Sequence, residues 1–476
     1  MIAQVQATSP LIALGAGITV VMALIALRRN SASITTVAGL GLTAALACVP
    51  WALGAAAHPA GNLFVFDALS LGLSALILCA SLAVLVLGHG YWQSMVEFPR
   101  DEYPLLLLIA TFGAVAMTAS GNFVSLFLGL ETMTLGMTGM IAYPRFRPEA
   151  EEAGLKYLVL SGGSSGFVLL GMALIELATG GLDLAPDLHR LGTDPMDRQM
   201  IMAGLAMIAV GAGFKLSVVP FHIWVPDIYA GAPAPTGAYV AVISKVAVMA
   251  VILRVMASPL TSLSSGIIDA ITIIALLSML IGNLLALQQE NIKRILGYSS
   301  IAHFGYLLVA LLVTDEIGRA AVVFYLVTYT VTVVTAFGVI SLMSDGQERR
   351  DLDLVEDLKG LFWIRPVHAA ILTLALLSLA GIPPAIGFIA KMYVLAAAVH
   401  TELWLPTSVM IVSSIVGLFY YLRILIVMSQ KAEPATPLPR GLARTEGATI
   451  LCLAIPLVAF GIAPQPLIAL LHAMLG

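Results

Sequence analysis

Four ionisable residues lie in the interior of long apolar stretches: Glu131, Lys215, Lys245 and Lys391. A charge in the hydrocarbon core of a bilayer costs at least ~2.5 kcal/mol, so each must be paired, hydrated or neutralised. Lys215 is the predicted partner of Glu131, because opposite charges keep each other ionised. Lys245 and Lys391 have no acid in their own stretch, and burial without a counter-ion favours the neutral amine. These four residues are therefore predicted to carry protons.

Static ion pairs that hold helices together are the structural alternative for these residues. The stretches hold one acid for three bases, so static pairing leaves bases uncompensated. His222 and His303 are candidate proton relays because imidazole titrates near neutral pH. For each histidine, a satisfied structural hydrogen bond is the alternative. Asp227 is interpreted as part of an interfacial turn.

Proline interrupts two of the apolar stretches. Pro220 follows Lys215, and the segment Gly381-Ile382-Pro383-Pro384 precedes Lys391. Proline lacks the amide hydrogen and clashes with the carbonyl one turn back. In lipid, the freed carbonyls must face protein or a hydrated cavity. Ordinary kinks are the alternative, but two breaks that each lie near a lysine predict ion sites at mid-membrane.

The composition places these residues in a membrane. Of 476 residues, 60% are hydrophobic and 11% are charged, and the mean hydropathy is +1.00. A spanning helix needs about 20 apolar residues, and such runs recur along the chain. The predicted fold class is all-α, a polytopic membrane protein with about 14 transmembrane helices. The predicted spans are 9–27, 34–53, 68–90, 104–119, 121–143, 155–178, 200–229, 236–257, 267–288, 292–312, 317–343, 367–399, 405–429 and 447–472.

Loop lysines and arginines indicate the orientation. With the N-terminus outside, most of them lie on the cytoplasmic side, and only Arg190, Arg198 and Arg319 lie outside. This is the positive-inside pattern. It predicts a multi-pass membrane protein with both termini on the outer side. The first run lacks a basic leader, so it is interpreted as a retained helix.

Spans 4 to 8 weakly resemble spans 9 to 13. The matched tripeptides, 161 to 169 residues apart, are Gly121-Asn122-Phe123 with Gly282-Asn283-Leu284, Tyr157-Leu158-Val159 with Tyr325-Leu326-Val327, and Leu253-Arg254-Val255 with Leu422-Arg423-Ile424. Because five helices separate the copies, two inverted five-helix repeats are predicted, each with a proline-broken helix, as in transporters. The predicted domains are 1–103 (helices 1 to 3), 104–257 (first repeat), 258–429 (second repeat) and 430–476 (helix 14).

The cysteines and the glycine motifs give no sign of a bound cofactor. Cys48, Cys79 and Cys452 lie inside predicted spans, without the spacing of a metal site or a disulfide framework. The sequence has no Walker-type loop and no nucleotide-binding GxGxxG motif. We therefore expect no metal or cofactor in this chain, a lipid bilayer around it, and no nucleic-acid partner. Its energy source is then an ion gradient or a partner protein.

Three parts of the chain carry a family resemblance: Gly213–Ser217 with Pro220–Tyr229, Asn291–Ile301, and Ala380–Lys391. They are similar to the signatures of spans 7, 10 and 12 in the antiporter-like membrane subunits of bacterial NADH:quinone oxidoreductase, respiratory complex I. The resemblance covers nearly the whole chain. The length of the chain, its lack of a long C-terminal lateral helix and its span 12 lysine look most like the subunit N branch.

The resemblance implies a proton-translocating membrane-arm subunit in which Glu131, Lys215, Lys245 and Lys391 match the family's charges. Quinone, FMN and iron–sulfur clusters would belong to partner subunits of the membrane and peripheral arms. A signal from quinone reduction would shift the Glu131–Lys215 pair, then Lys245, then Lys391. Two alternatives stay open: a subunit of a multi-subunit sodium/proton antiporter, and a non-pumping membrane scaffold. A scaffold would have no charges at mid-membrane.

Overall fold

The computed structural model describes residues 2–55, 63–95, 99–184, 195–258, 266–344, 351–431 and 444–475. Within these ranges the chain consists of helices, loops and isolated β-bridges, which confirms the all-α fold class. A short 3-10 helix covers Val355–Leu358. The α-helices are α1 Ile2–Ala7, α2 Ser9–Leu27, α3 Ser31–Leu53, α4 Ala68–Ser94, α5 Glu102–Thr118, α6 Phe123–Ile141, α7 Pro148–Thr179, α8 Pro195–Leu216, α9 Trp224–Gly231, α10 Ala234–Met256, α11 Gly266–Leu287, α12 Ile292–Leu311, α13 Glu316–Met343, α14 Leu361–Ile364, α15 Pro366–Ala380, α16 Ile386–His400, α17 Trp404–Ser429, α18 Arg444–Ile462 and α19 Gln465–Leu475.

Twelve helices in the described ranges are long and apolar enough to cross a membrane. The other two predicted spans appear as α5, with 17 residues, and as the pair α15 and α16, with 15 residues each. The protein is thus a multi-pass membrane protein.

Two predicted span boundaries differ from the observed helices for local reasons. Helix α7 starts at Pro148 rather than at residue 155, because its first turn is polar. Proline at the first position and acids at the amino end favour a helix start there. The predicted uninterrupted last span is wrong. It is divided into α18 and α19, with Pro464 between them.

Helices α10, α12 and α13 form the centre of the bundle. Their side chains are buried on nearly all faces, whereas α2, α3 and α18 keep most of their surface exposed. A helix that is apolar all round is suited to a position enclosed by other helices. The central helices carry Lys245 and His303, so these two residues are held by packed neighbours on every side.

A close contact between two helices of the first repeat recurs at the equivalent positions of the second repeat. A Cβ added at Gly113 in α5 would lie 2.4 Å from Met133 N of α6. A Cβ added at Gly282 in α11 would lie 2.7 Å from Ala302 N of α12. Both members of the second pair follow those of the first by 169 residues. Glycine lets backbones approach closely in membrane bundles, so α5–α6 and α11–α12 are equivalent pairs.

The loops before α6 and α12 repeat the same backbone pairing. Phe123 N donates to Leu182 O, and Ile292 N donates to Asp353 O, each at 2.7 Å. The chain crosses the bundle five times between these helices, so the two loops lie at opposite ends and the repeats are inverted. The predicted match of Gly121-Asn122-Phe123 with Gly282-Asn283-Leu284 is wrong. Asn122 caps α6 as Asn291 caps α12, whereas Asn283 lies inside α11.

Candidate functional site

The first helix break separates α8 from α9 at residues 217–223 and contains Pro220. Lys215 is the second-last residue of α8. The Phe214 carbonyl in the last turn accepts a hydrogen bond from the indole Nε1 of Trp224 on α9 (3.0 Å). A backbone group at the break therefore finds a protein partner, as it must in lipid.

The second break separates α15 from α16 and contains Pro383 and Pro384. Gly381 turns the chain with a φ of 81°, a left-handed conformation that glycine adopts without steric cost. Lys391 Nζ donates to the freed Ala380 carbonyl at 2.8 Å. It also donates to Ser414 Oγ of α17 at 2.8 Å. The freed carbonyl thus faces protein, as one of the two expected surroundings, and its partner is the lysine itself.

Glu131 and Lys215 lie in the first repeat with separate hydrogen-bond partners. Lys215 Nζ donates to Thr134 Oγ1 (2.7 Å) and to Tyr157 OH (3.3 Å), while the Ser165 hydroxyl donates to Glu131 Oε1. Among the described residues, no ion pair joins Glu131 to Lys215, so the predicted partners do not contact each other directly. The two charges still interact through space. The coupling between them is therefore electrostatic rather than a contact.

Lys245 is fully enclosed at the centre of the bundle. Its ammonium donates to the Ser300 hydroxyl, which also accepts from Tyr329 OH at 2.7 Å. The Phe304 ring lies 4.7 Å from Nζ, so its face contributes a cation–π interaction. No carboxylate forms an ion pair with Lys245 in the part of the chain that the structure describes. A hydroxyl and aromatic rings replace the missing counter-ion.

His303 lies between two of the lysines. Its Nδ1 forms a 2.6 Å hydrogen bond with Tyr325 OH, and its Nε2 a 3.2 Å hydrogen bond with Tyr421 OH. The imidazole interacts electrostatically with both Lys245 and Lys391. A histidine in this position senses the charge on either lysine.

Two other predicted residues lie apart from this group. His222 is in the loop between α8 and α9, and no hydrogen bond among the described residues joins it to Glu131 or to the buried lysines. The interpretation of Asp227 as part of a turn is wrong. It lies in the first turn of α9 and forms ion pairs with Lys156 (2.9 Å) and Arg294 (2.6 Å).

The 169-residue register shows how the repeats differ in chemistry. Ser300 is the counterpart of Glu131, and His303 is the counterpart of Thr134. Ser414, which binds Lys391, is the counterpart of Lys245. Equivalent helix positions thus carry an acid, a base or a hydroxyl depending on the repeat. Our sequence analysis missed these hydroxyl partners, although the correct register would have pointed to Ser300.

An apolar cavity of about 310 Å³ reaches Lys215 between α8, α10 and α11. Its lining includes Leu130, Leu205, Val251 and Ile274. It extends toward the end of the bundle at which α10 ends and α11 begins. Lys215 therefore has hydroxyl partners on one side and an apolar space on the other.

The assembled site consists of groups that donate and accept protons. It contains three buried amines, one carboxylate and one imidazole, linked to hydroxyl and carbonyl oxygens. Among the described residues, no group of three or more His, Cys, Asp or Glu side chains could hold a metal ion.

Comparison with known proteins places this site in a family. The family model described as "NADH:quinone oxidoreductase/Mrp antiporter, TM" matches residues 120–417, which contain the four charged residues. The chain is 43% identical to NADH-quinone oxidoreductase subunit N of Ectopseudomonas mendocina, over 95% of this chain and 93% of that protein. The chain belongs to the subunit N family. A second subunit N, from Chromohalobacter salexigens, is 42% identical over 97% of both chains.

The chain also superposes on chains of solved membrane complexes. A chain of respiratory complex I from Thermus thermophilus with bound Aureothin superposes with a TM-score of 0.82 at 30% identity, covering 97% of this chain and 98% of that one. A chain of the archaeal membrane-bound sulfane sulfur reductase has a TM-score of 0.85 at 24% identity, covering 99% and 96%. A chain of the Mrp complex from Dietzia has a TM-score of 0.86 at 21% identity, covering 99% and 97%. The last two share the fold alone.

Proposed function

We propose that this chain is a proton-translocating membrane-arm subunit of an NADH:quinone oxidoreductase. In this proposal Glu131, Lys215, Lys245 and Lys391 carry the proton transfers. The observation that supports it best is the set of three buried lysines held by hydroxyl and carbonyl oxygens, with no ion pair to any of them among the described residues. A lysine without a fixed counter-ion changes its protonation state when a nearby charge changes.

The first repeat receives the signal. A conformational or electrostatic change that accompanies quinone reduction shifts the balance between Glu131 and Lys215. When Lys215 loses its proton, Thr134 and Tyr157 remain as hydrogen-bond partners for the neutral amine. No side-chain hydrogen bond joins Lys215 to Lys245 in the described ranges. This step therefore requires side-chain movement or mobile water.

The second repeat passes the proton on. Lys245 and Lys391 act on His303 from two sides, and the two tyrosines that hold its ring are hydroxyl donors and acceptors. A proton that leaves Lys245 changes the field at His303 and then at Lys391. The Ala380 carbonyl and the Ser414 hydroxyl hold the Lys391 ammonium until it releases its proton. His222 is retained only as a possible relay at the first break.

Partners and orientation complete the proposal. Other membrane-arm and peripheral subunits hold the FMN, the iron–sulfur clusters and the quinone, and this chain has no redox centre of its own. The loops rich in lysine and arginine face the cytoplasm, and both termini lie on the periplasmic side of the bacterial inner membrane. Protons enter from the cytoplasm and leave outside. The predicted domain boundaries at 103, 257 and 429 belong to this proposal.

A subunit of a sodium/proton antiporter is the second candidate function. The likeness to the Mrp chain supports it at the level of the fold, at 21% identity. The subunit N relatives at 42% and 43% identity favour the oxidoreductase. A non-pumping scaffold does not account for three buried lysines.

The deciding experiment compares Lys391→Arg with Lys391→Met. Arginine keeps a cation that hardly ever deprotonates in proteins. If Lys391 exchanges protons, both variants lower proton pumping per quinone reduced by at least about tenfold, as expected for the loss of a general acid or base. The measurement uses inverted membrane vesicles, with assembly of the complex checked on native gels.

The matched controls are Lys359→Arg and Lys359→Met, at an exposed lysine outside the spanning helices. Both should pump like the wild type. Near-normal pumping by Lys391→Arg would mean that Lys391 supplies a fixed charge, and its role as a proton carrier would be withdrawn.

A further inference from the structure

A buried carboxylate lies outside the proton path described above. Asp351 follows α13 in the loop before α14 and is 3% exposed. Its Oδ1 accepts from Arg147 Nη1 (2.9 Å) and from Tyr91 OH (2.6 Å), and its Oδ2 accepts from Lys293 Nζ (2.8 Å). Arg147 and Lys293 are also buried, at 6% and 1% exposure. One anion thus holds two buried cations.

The partners of Asp351 belong to helices of both repeats. Arg147 immediately precedes α7, and Lys293 is the second residue of α12. Lys293 Nζ also donates to Ala232 O at the end of α9, at 3.1 Å. The cluster therefore joins the ends of α7, α9 and α12 at one end of the bundle. In the proposed orientation this end faces the cytoplasm.

Two of these helices, α7 and α12, carry hydrogen-bond partners of the proton carriers. Helix α7 supplies Tyr157 to Lys215 and Ser165 to Glu131. Helix α12 supplies Ser300 to Lys245. Ser300 lies seven residues after Lys293, about two helical turns along the same face. A shift of α12 along its axis would move Lys293 and Ser300 together.

We propose that Asp351 is a positioning residue for proton translocation. It fixes the ends of α7, α9 and α12 so that the hydroxyls on α7 meet Glu131 and Lys215 while Ser300 on α12 meets Lys245. This inference rests on the proposed function. It adds a residue outside the four charged positions, in the loop between α13 and α14.

The charge on Asp351 is fixed, which suits positioning and not proton transfer. Burial raises the pKa of Asp351, but the adjacent Lys293 and Arg147 outweigh it and lower the pKa to about 2. The carboxylate therefore stays ionised throughout the range in which the protein works. Asp353, half-buried beside it, contacts Lys293 at 2.9 Å and adds a second negative charge. Removal of Asp351 leaves two buried cations without their main partner, which is strongly unfavourable.

Asp227 provides the matched control. It also joins α7, α9 and α12, through ion pairs with Lys156 and Arg294, but all three side chains are 35% to 42% exposed. Exposed ion pairs contribute little because water screens them. Asp351→Asn and Asp227→Asn thus each remove one negative charge that links these three helices. The first charge is in a buried cluster, and the second is at the surface.

The experiment measures protons pumped per quinone reduced in assembled complex for both variants. We expect Asp351→Asn to lower this ratio at least about twofold, because a buried partner is lost. We expect Asp227→Asn to retain most of the ratio. A purely structural role would reduce the amount of assembled complex and leave the ratio per assembled complex unchanged. An unchanged ratio in Asp351→Asn would overturn the proposal.

A second variant covers failure of assembly. Arg147→Lys keeps the positive charge, but the lysine side chain is shorter and its amine falls short of Tyr91 and Asp351, both of which Arg147 Nη1 contacts. The variant should assemble and lower the ratio in the same direction. A normal ratio in Arg147→Lys, with no assembled Asp351→Asn, would overturn the proposal.

The Lys391→Met variant separates the positioning role of Asp351 from the proposed function of the chain. If Lys391→Met abolishes pumping while both cluster variants pump normally, the positioning role of Asp351 is rejected and the proposed function stands. If it pumps normally, the proposed function itself is wrong.

Discussion

Each of the three buried lysines in the proposed proton path is held by neutral oxygen atoms. Lys215 binds a threonine and a tyrosine, Lys245 binds a serine, and Lys391 binds a serine and a backbone carbonyl. A carboxylate partner would hold the ammonium form and resist proton release. Hydroxyl and carbonyl oxygens satisfy the ammonium hydrogens without adding a fixed negative charge. The choice of partner therefore keeps these lysines able to exchange protons.

Replacing Lys215 by methionine should lower quinone reduction and proton pumping together. Methionine fills a similar space but cannot carry the charge that Glu131 acts on. Both rates should fall at least about tenfold, within the range for removal of an acid–base group. Thr134→Val, which removes one of the two hydrogen-bond partners, should cause a smaller loss of both rates. The rates are measured in membranes whose content of assembled complex has been equalised. Normal pumping by assembled Lys215→Met complex would contradict the assignment.

At this scale the sequence identified the charges and missed their partners. A charge inside an apolar run is rare and costly, so Glu131 and the three lysines stand out. Serine, threonine and tyrosine are ordinary residues of membrane helices, so Ser165 does not stand out in the sequence. Ser300 and Ser414 stand out only once the 169-residue register is known. Asp351 was missed for another reason. It resembles a loop acid, and only folding brings Arg147 and Lys293 to it.

At the scale of helices, the two breaks and the 169-residue register organise the site. Proline and glycine in an apolar run were enough to predict both breaks. The register was only partly predictable, because a Gly-Asn pair is too short to align two helices. Packing provides the stronger signal: Gly136 contacts Ala110 as Gly305 contacts Met279, again 169 residues apart. Close backbone contacts depend on two helices at once, so they are not visible along one chain.

Gly113→Ala should destabilise the protein, since the new methyl would lie 2.4 Å from Met133 N. Overpacking of this kind typically costs about 1–3 kcal/mol. Gly163→Ala in α7 is the matched control, because no atom outside its own helix lies within 4 Å of the added Cβ. The apparent melting temperature in detergent should fall for Gly113→Ala and stay near the wild-type value for Gly163→Ala. Equal melting temperatures would show that α5 and α6 accommodate the added methyl group without loss of stability.

The described part of the molecule is a set of packed helices, and many large apolar side chains lie on its surface. Its apolar runs allowed the number of spans and the all-α class to be predicted, because a bilayer permits few other structures. The division of the last span at Pro464 was not anticipated, since both halves are equally apolar. Contacts with neighbouring subunits leave no comparable pattern in a sequence whose lipid-facing and protein-facing surfaces are both hydrophobic.

Extraction in a mild detergent should retain partner proteins that carry FMN and iron–sulfur clusters. This follows from the proposed role in an NADH:quinone oxidoreductase, whose redox centres lie in other chains. The measurement is the flavin content, the visible spectrum and the subunit pattern of the complex purified through a tag on this chain. Extraction in a harsher detergent, which separates the subunits, serves as the control. A complex of membrane proteins without flavin or iron would favour the antiporter.

The apolar lining of the cavity beside Lys215 gives this part of the molecule a low dielectric constant. Cavities lined by aliphatic side chains stay dry, and a dry region has a far lower dielectric constant than water. Water in the same space would screen the charge on Lys215. An apolar space instead leaves the electric field across it largely unscreened. A proton that moves onto or off Lys215 is therefore weakly screened and responds strongly to the membrane potential.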